Sequence, residues 1–302
     1  MGTSQAGRRL STFVAALVSM ALAWGAAGVP AEAAPAAKVD YVALGDSYTA
    51  GTGAGPFPAL TPCIQTPGGY VDVVGKTGRV NLVANAACHG ALLTQGSLIP
   101  HDPLIPSVEQ QIDRLVASGA LSGNTKLVSI TAGANDVGVT GVLVTCLTQS
   151  SASCLASIQA SAAAFPAMQA DLVTALRRIH AAAPNAEIVV PGYPRLFDPA
   201  IPFAAIDPAV LGAIDAAVIA LNSSIWATVA ASGTGAMFVD ATQQFVGHEV
   251  NSADPWIFFS PPTLDSTASL VFDPRNFHPN KEGHRAYASL LLEAAKPAQL
   301  VH

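Results

Sequence analysis

A serine near the start of the chain and a histidine near its end could together perform nucleophilic catalysis. Ser47 follows the short apolar segment 42–44, and His278 lies far along the chain in the segment 276–280. A serine hydroxyl is a weak nucleophile at neutral pH unless a base removes its proton, and folding can bring a distant histidine beside it. The pair favours a hydrolase of the esterase type.

Two further segments carry groups that could stabilise a negatively charged oxygen. Gly90 has a backbone N–H that no side chain blocks, and Asn135 follows a β-rich segment, where its amide could donate to an oxyanion. Each residue also has a plain structural interpretation, because Asn135 fits an Asx turn and Gly90 fits any tight turn.

Strand-like and helix-like segments alternate along the chain, and they must position these residues. The predicted strands are 38–44, 80–84, 126–131, 187–191 and 236–240, and the predicted helices are 108–118, 153–182, 208–231 and 281–295. This alternation predicts a parallel sheet covered by helices on both faces. Ligands bind at the carboxyl ends of the strands in such sheets, which is where Ser47, Gly90 and Asn135 would lie.

The first 33 residues have the composition of a secretory signal. Arg8 and Arg9 precede the apolar run 10–29, and residues 31–33 offer a cleavage site of the small-x-small type. An uncleaved membrane anchor is the alternative, and the arginine pair leaves the export route open between the general and twin-arginine pathways. We expect residues 34–302 to form one catalytic domain of a secreted, extracellular or envelope-associated protein.

The charge balance argues against a nucleic-acid partner. The chain has 14 basic and 20 acidic residues, only 11% of its residues are charged, and the basic ones form no cluster. Phosphate binding needs clustered Lys and Arg. After the apolar run near the start, the sequence has no second long apolar run free of Gly, Pro and polar breaks, so we expect the mature protein to be soluble.

The four cysteines of an exported chain predict two disulfides, since that compartment is oxidising. Three connectivities are open, and sequential pairing, Cys63 with Cys88 and Cys146 with Cys154, closes two short loops. The spacing does not fit zinc, because there is no Cys-x-x-Cys pair or Cys/His cluster, so we expect no metal site.

Taken together, these segments resemble the SGNH, or GDSL, hydrolase family. Its four blocks occur here in order: Gly-Asp-Ser at 45–47, the glycine at 90, Gly-x-Asn-Asp at 133–136 and His-Pro at 278–279. Its secreted lipase and esterase branch is resembled further by the cysteine spacing, Gly-His at 247–248, Asp-Pro-Trp at 254–256 and His-Pro-Asn-x-x-Gly-His at 278–284. The resemblance implies a flavodoxin-like three-layer α/β/α sandwich with a central parallel sheet and the nucleophile after the first strand.

The resemblance also implies a role for each matched residue. Ser47 would be the nucleophile that forms an acyl-enzyme, and His278 the general base. The N–H groups of Ser47 and Gly90, with the Asn135 side chain, would form the oxyanion hole. The substrate would be a lipid or other small carboxylic ester, without a cofactor, and the enzyme a monomer in transient contact with a lipid surface. The alternatives are an acetyl esterase acting on polysaccharide and a non-catalytic cell-surface binding protein.

Two positions depart from the family pattern. Arg275 stands three residues before His278, where many members have an aspartate, and Asn251 stands where the secreted branch often has a cysteine. The group that orients His278 is therefore open. The resemblance to the secreted branch implies the backbone carbonyl of Arg275, and Asp273 is the other candidate.

The remaining polar residues near these motifs have mainly structural interpretations. We expect Asp46 and Asp136 to hold loops by hydrogen bonds, and His284 to be a surface or packing residue. His248 is either structural or part of an acyl pocket. The apolar segments 194–203 and 256–264 could line that pocket or be packed surface loops.

Overall fold

Five short β-rich segments form one parallel sheet. The computed structural model describes Met1 and residues 37–56, 63–203 and 206–300, so the predicted signal segment 1–33 lies, except for Met1, outside the described residues. The strands are β1 (Val39–Gly45), β2 (Val80–Asn85), β3 (Leu127–Thr131), β4 (Glu187–Pro191) and β5 (Met237–Val239). They lie in the order β2-β1-β3-β4-β5, which is flavodoxin-like.

Helices cover both faces of the sheet. They are α1 (Tyr70–Gly75), α2 (Val108–Ala117), α3 (Val139–Thr148), α4 (Ser151–Ala162), α5 (Phe165–Ala182), α6 (Pro208–Ala231) and α7 (Lys281–Ala295). Right-handed crossovers place α1 on one face and the helices between β2 and β5 on the other. Accordingly α1 packs against α7, and α5 packs against α2 and α6. The predicted three-layer α/β/α architecture is confirmed.

The central strands are buried along nearly their whole length because both of their faces are covered. All five residues of β3 are buried, as are six of the seven residues of β1. A strand buried on both sides needs a continuous apolar segment rather than an alternating one. For this reason the mainly apolar segments 42–44 and 127–130 could be predicted as strands from the sequence.

One predicted helix is two helices in the structure. The segment 153–182 is divided between α4 and α5, with a turn at Ala163 and Ala164. Pro166 lies in the first turn of α5, where its missing N–H costs nothing. In an unbroken helix its ring would collide with the carbonyl of Ala162, so the prediction of one continuous helix was wrong.

Helix α1, helix α3 and a β-hairpin were not predicted. Helix α1 is only six residues long, and α3 contains a glycine and several β-branched residues, which are poor helix formers. A two-stranded antiparallel hairpin, β6 (Thr263–Leu264) and β7 (Leu270–Val271), projects between β5 and α7. Its strands are exposed and too short to give a periodic pattern.

Helix α6 is, among the described residues, the one helix long and apolar enough to cross a membrane by length and composition. Half of its apolar window is buried inside the protein, and the helix packs against α4, α5 and β5. These contacts are those of a core helix.

Two disulfides connect segments near the carboxyl edge of the sheet. Cys63 is bonded to Cys88, two residues before Gly90, and Cys146 of α3 is bonded to Cys154 of α4. These are the sequential pairs expected from the sequence. With no cysteine at 251, the side chain of Asn251 instead hydrogen-bonds the main chain at Asp198.

The strand order creates a crevice beside β1. The crossover from β1 runs to β2 and that from β3 runs to β4, so the two connections leave the sheet in opposite directions. Gly45 and Thr131 pair at the ends of these strands. A Cβ at position 45 would lie 2.3 Å from the Thr131 carbonyl oxygen, which requires glycine here. Ser47 and Asn135 follow these strand ends directly.

Candidate active site

Ser47 and His278 are hydrogen-bonded to each other at this edge of the sheet. The distance from Ser47 Oγ to His278 Nε2 is 2.7 Å, and His278 Nδ1 lies 2.9 Å from the carbonyl oxygen of Asn276. A carbonyl oxygen can only accept, so Nδ1 carries the ring proton and Nε2 accepts from the serine hydroxyl. The imidazole is thus oriented to take the proton of Ser47.

The hydrogen bond from Nδ1 goes to a residue that sequence reasoning missed. The side chain of Asp273 is paired with the guanidinium of Arg275, at 3.0 Å from Nε and 2.6 Å from Nη2, and makes no hydrogen bond to the His278 ring. The Arg275 carbonyl accepts the main-chain N–H of His278 at 3.1 Å. Phe277 has a φ of 63°, and this left-handed turn brings the His278 ring back toward the Asn276 carbonyl.

The surroundings of His278 favour its neutral form. Loss of hydration lowers the pKa of His278 to about 3, and the neighbouring His89 lowers it further, while the hydrogen bond to the Asn276 carbonyl opposes the shift. A neutral imidazole is the form that can accept a proton at neutral pH.

Three donors face the same cleft as Ser47 and His278. The cleft has a volume of about 330 Å³, and Gly90 and Asn135 line it together with Ser47. Within the described residues, no acceptor is bound to the N–H of Ser47 or Gly90. The Asn135 amide donates one hydrogen to the carbonyl of Ala91 at 3.0 Å, which leaves its second N–H for another acceptor.

A buried carboxylate connects the loops that carry Ser47 and Asn135. Asp46 accepts the N–H of Tyr48 at 2.9 Å and the hydroxyl of Tyr193 at 2.6 Å. The Tyr193 oxygen in turn accepts the N–H of Ala134 at 3.1 Å. Burial raises the pKa of Asp46 to about 7, and the hydrogen bond from Tyr193 opposes this rise. The expectation that Asp46 holds a loop is confirmed.

Tyr193 and Asp136 complete this network. Sequence reasoning missed Tyr193, although its place two residues after β4 puts it at the same sheet edge as Ser47. Asp136 accepts the N–H of Leu93 at 2.9 Å, which joins the loop after β3 to the segment that follows Gly90. Asp136 therefore holds a loop, as expected.

Among the histidines of the described residues, His89 lines the cleft together with His278. Its ring centroid lies 5.3 Å from that of His278, and its Nδ1 lies 3.1 Å from Thr52 Oγ1. Burial lowers the pKa of His89 to about 4. The sequence analysis did not predict a place for His89 in the site, and the one signal for it was its position next to Gly90.

His284 and His248 have structural roles. His284 is fully buried, donates from Nε2 to the Thr52 carbonyl at 3.0 Å and accepts the N–H of Tyr70 at 3.3 Å, so it is a packing residue and not a surface one. His248 stacks on Trp256 with ring centroids 3.6 Å apart, and it is not among the residues that line the cleft.

One wall of the cleft is apolar. Pro194 and Leu196 contribute to it, as expected for the segment 194–203, but the segment 256–264 does not. The rest of the wall comes from α3, α6 and Phe272, and α3 was not predicted. Among the described residues there is no group of three His, Cys, Asp or Glu side chains that could hold a metal ion.

A flavodoxin-like sheet with a hydrogen-bonded serine and histidine at its carboxyl edge defines a serine hydrolase of the α/β/α class. The sequence matches the GDSL-like lipase/acylhydrolase family over residues 43–286. It is 33% identical over 258 residues to Lipase 1 of Streptomyces coelicolor, an alignment that covers 82% of this chain and 87% of that protein. The chain belongs to the GDSL-like lipase/acylhydrolase family, and it is a serine ester hydrolase.

Two crystal structures of related enzymes share the fold. Phospholipase A1 from Streptomyces albidoflavus is 28% identical with a TM-score of 0.67, and the match covers 87% of this chain and 100% of that one. An extracellular lipase from Streptomyces rimosus is 27% identical with a TM-score of 0.66, covering 85% and 99%.

Proposed function

We propose that Ser47 attacks the carbonyl carbon of a carboxylic ester while His278 takes its proton. The observation that carries this proposal is the 2.7 Å hydrogen bond between Ser47 and His278, with Nδ1 held by Asn276. The protonated His278 then donates to the leaving alkoxide, and the acyl group stays on Ser47. Water attacks this acyl-enzyme with His278 as the base, which releases the acid and restores the serine.

The negative charge that develops on the carbonyl oxygen is stabilised by three donors. They are the N–H groups of Ser47 and Gly90 and the second N–H of the Asn135 amide. Two observations support this assignment. All three residues line the cleft, and the N–H groups of Ser47 and Gly90 have no acceptor among the described residues. Removing one such donor commonly costs about 2.7–4 kcal/mol of transition-state stabilisation.

The acyl part of the substrate is a hydrocarbon chain. Leu143, Val144 and Leu147 of α3 line the cleft together with Val218 and Leu221 of α6. An acetyl group has a single methyl and would leave most of this apolar wall unfilled, so the wall favours lipid and other long acyl esters over acetylated polysaccharide. The names of the relatives, lipase and phospholipase A1, agree with this substrate class.

The proposed function includes export from the cell and contact with a lipid surface. Residues 1–33 act as the signal, and the two disulfides suit an oxidising compartment.

The exposed side chains of Leu98 and Leu104 lie on the loop that follows Gly90, and Leu264 and Leu270 lie on the β6–β7 hairpin next to Phe272 of the cleft. These side chains suit transient contact with a lipid surface.

Active-site labelling tests the proposed chemistry. A fluorophosphonate probe should label the folded wild-type protein at Ser47, and Ser47→Ala should lose labelling and lower the rate of ester hydrolysis by at least about 10⁴-fold. Ser223→Ala is the matched control, since Ser223 is exposed on α6. Equal rates for wild type and Ser47→Ala would refute Ser47 as the nucleophile.

A further inference from the structure

A second apolar cavity lies behind the wall of the active-site cleft. It has a volume of about 250 Å³ and is lined by side chains from α3, α4, α5 and α6. The residues that belong to this cavity and not to the cleft include Val142, Ile158, Phe165, Ile214 and Ala217. The described residues that line it include no charged side chain, so its interior suits a hydrocarbon.

The cleft and the second cavity share one partition. Five residues line both spaces, and all five are aliphatic: Val139, Leu143, Leu196, Val218 and Leu221. Three of them, Leu143, Leu196 and Leu221, are less than a tenth exposed. The two spaces are therefore neighbours whose common wall is made by two side chains of α3, two of α6 and Leu196 of the segment after β4.

The second cavity opens to the surface at its far side. Gln159 and Ala162 of α4 and Ala220 of α6 line it and are exposed. The disulfide between Cys146 and Cys154 joins α3 to α4 and so holds two walls of the cavity together. An apolar recess that is open to water is unfavourable unless something occupies it.

We propose that this second cavity receives the distal part of a long acyl chain whose carbonyl end is bound at Ser47. The inference rests on the proposed function and extends it to a preference for long-chain esters. To reach the second cavity the acyl chain displaces side chains of the shared wall, at Val139 of α3 and Val218 of α6, which are only partly buried, and its end then lies toward the exposed residues of α4 and α6. Each methylene removed from water raises kcat/KM about fourfold, which corresponds to about 0.8 kcal/mol.

Filling the cavity from α6 tests the proposal. Ala217 lines the second cavity but not the cleft, and its neighbour Ala216 is exposed and lines neither. We compare kcat/KM of wild type, Ala217→Phe and Ala216→Phe on p-nitrophenyl butanoate, octanoate and palmitate. The two variants add the same ring to adjacent positions of one helix, so they differ in whether the ring enters the cavity.

We expect the palmitate-to-butanoate ratio of Ala217→Phe to fall at least tenfold below that of wild type, and the ratio of Ala216→Phe to stay within twofold. Thermal denaturation verifies folding, and Ala217→Leu, which adds less volume, should shift the ratio in the same direction. An active enzyme with the same ratio in all variants would overturn the cavity assignment alone. A folded wild type that hydrolyses none of the three esters would instead contradict the proposed function.

Discussion

The Tyr48 hydroxyl donates a hydrogen bond of 2.8 Å to the carbonyl oxygen of Phe277. Tyr48 is the residue after Ser47 and Phe277 is the residue before His278, so this bond directly joins the two loops that carry Ser47 and His278. The Tyr48 ring also lies 5.3 Å from the ring of His278, centroid to centroid. The buried Tyr48 side chain therefore helps to hold Ser47 and His278 at their 2.7 Å hydrogen-bond distance.

Tyr48→Phe should lower kcat at least tenfold. The variant leaves the buried Phe277 carbonyl without its donor, which costs about 1–3 kcal/mol of stability and loosens the turn that carries His278. The measurement is kcat on p-nitrophenyl butanoate together with the midpoint of thermal unfolding.

The matched control for that variant is Tyr287→Phe. The Tyr287 hydroxyl also donates to a main-chain carbonyl, that of Gly192 at 2.7 Å, and Tyr287 is also buried. We expect a similar loss of stability with kcat within threefold of wild type. Equal loss of kcat in both variants would show that the Tyr48 bond has no special role in positioning His278.

Asp273→Asn should change turnover less than threefold. The carboxylate of Asp273 is paired with Arg275, while the Nδ1 proton of His278 is accepted by the main-chain carbonyl of Asn276. No side-chain substitution at 273 removes that carbonyl. A fall of turnover by orders of magnitude, with the unfolding midpoint unchanged, would show that Asp273 orients His278 after all.

Ester hydrolysis should persist in mild acid. His278 must be neutral to act as a base, and burial lowers its pKa from the ordinary 6.5 to about 3, so it stays neutral at pH 5. We expect kcat/KM for a neutral ester at pH 5 to lie within about threefold of its value at pH 7, with the acid limb below pH 5.

The variant Asp46→Asn distinguishes the titration of Asp46 from that of His278 in the dependence of kcat/KM on pH. Burial raises the pKa of Asp46 to about 7, so an inflection near pH 7 that disappears in the variant belongs to Asp46. An inflection at pH 6.5 that is present in both proteins would mean that His278 titrates as it does in water, contrary to the effect of its burial.

Gly53→Ala should reduce both stability and activity. Gly53 has a φ of 95°, and an added Cβ would lie 2.3 Å from the Pro279 carbonyl oxygen and 3.2 Å from His278 Cβ. The chain that carries His278 must shift, so we expect a loss of at least tenfold in kcat and a fall of several degrees in the unfolding midpoint.

Gly78→Ala is the control for this substitution. A Cβ at Gly78 would meet no atom within 4 Å. We expect wild-type kcat and an unfolding midpoint within one or two degrees, and a similar loss in both glycine variants would argue against a steric effect on His278.

The parallel strands were predictable because each is a short buried apolar run between helical segments. All five predicted strands start and end within one residue of the observed strands β1 to β5. Helix α3 was missed, since its β-branched residues and glycine give no helical preference; α4 and the disulfide to Cys154 hold it. The apolar wall of the cleft depends on this helix and was missed with it.

The sequence by itself determined the sheet, the reaction class and the four residues that meet in the cleft, Ser47, Gly90, Asn135 and His278. These follow from local patterns and short motifs, which do not need the rest of the chain. Only the tertiary structure decided that Asn276 holds the His278 ring, that Tyr48 and Tyr193 tie the loops together, and that a second cavity lies behind α3. Such contacts join residues far apart in the chain or depend on the backbone turn at Phe277, and no local pattern of residue types records either.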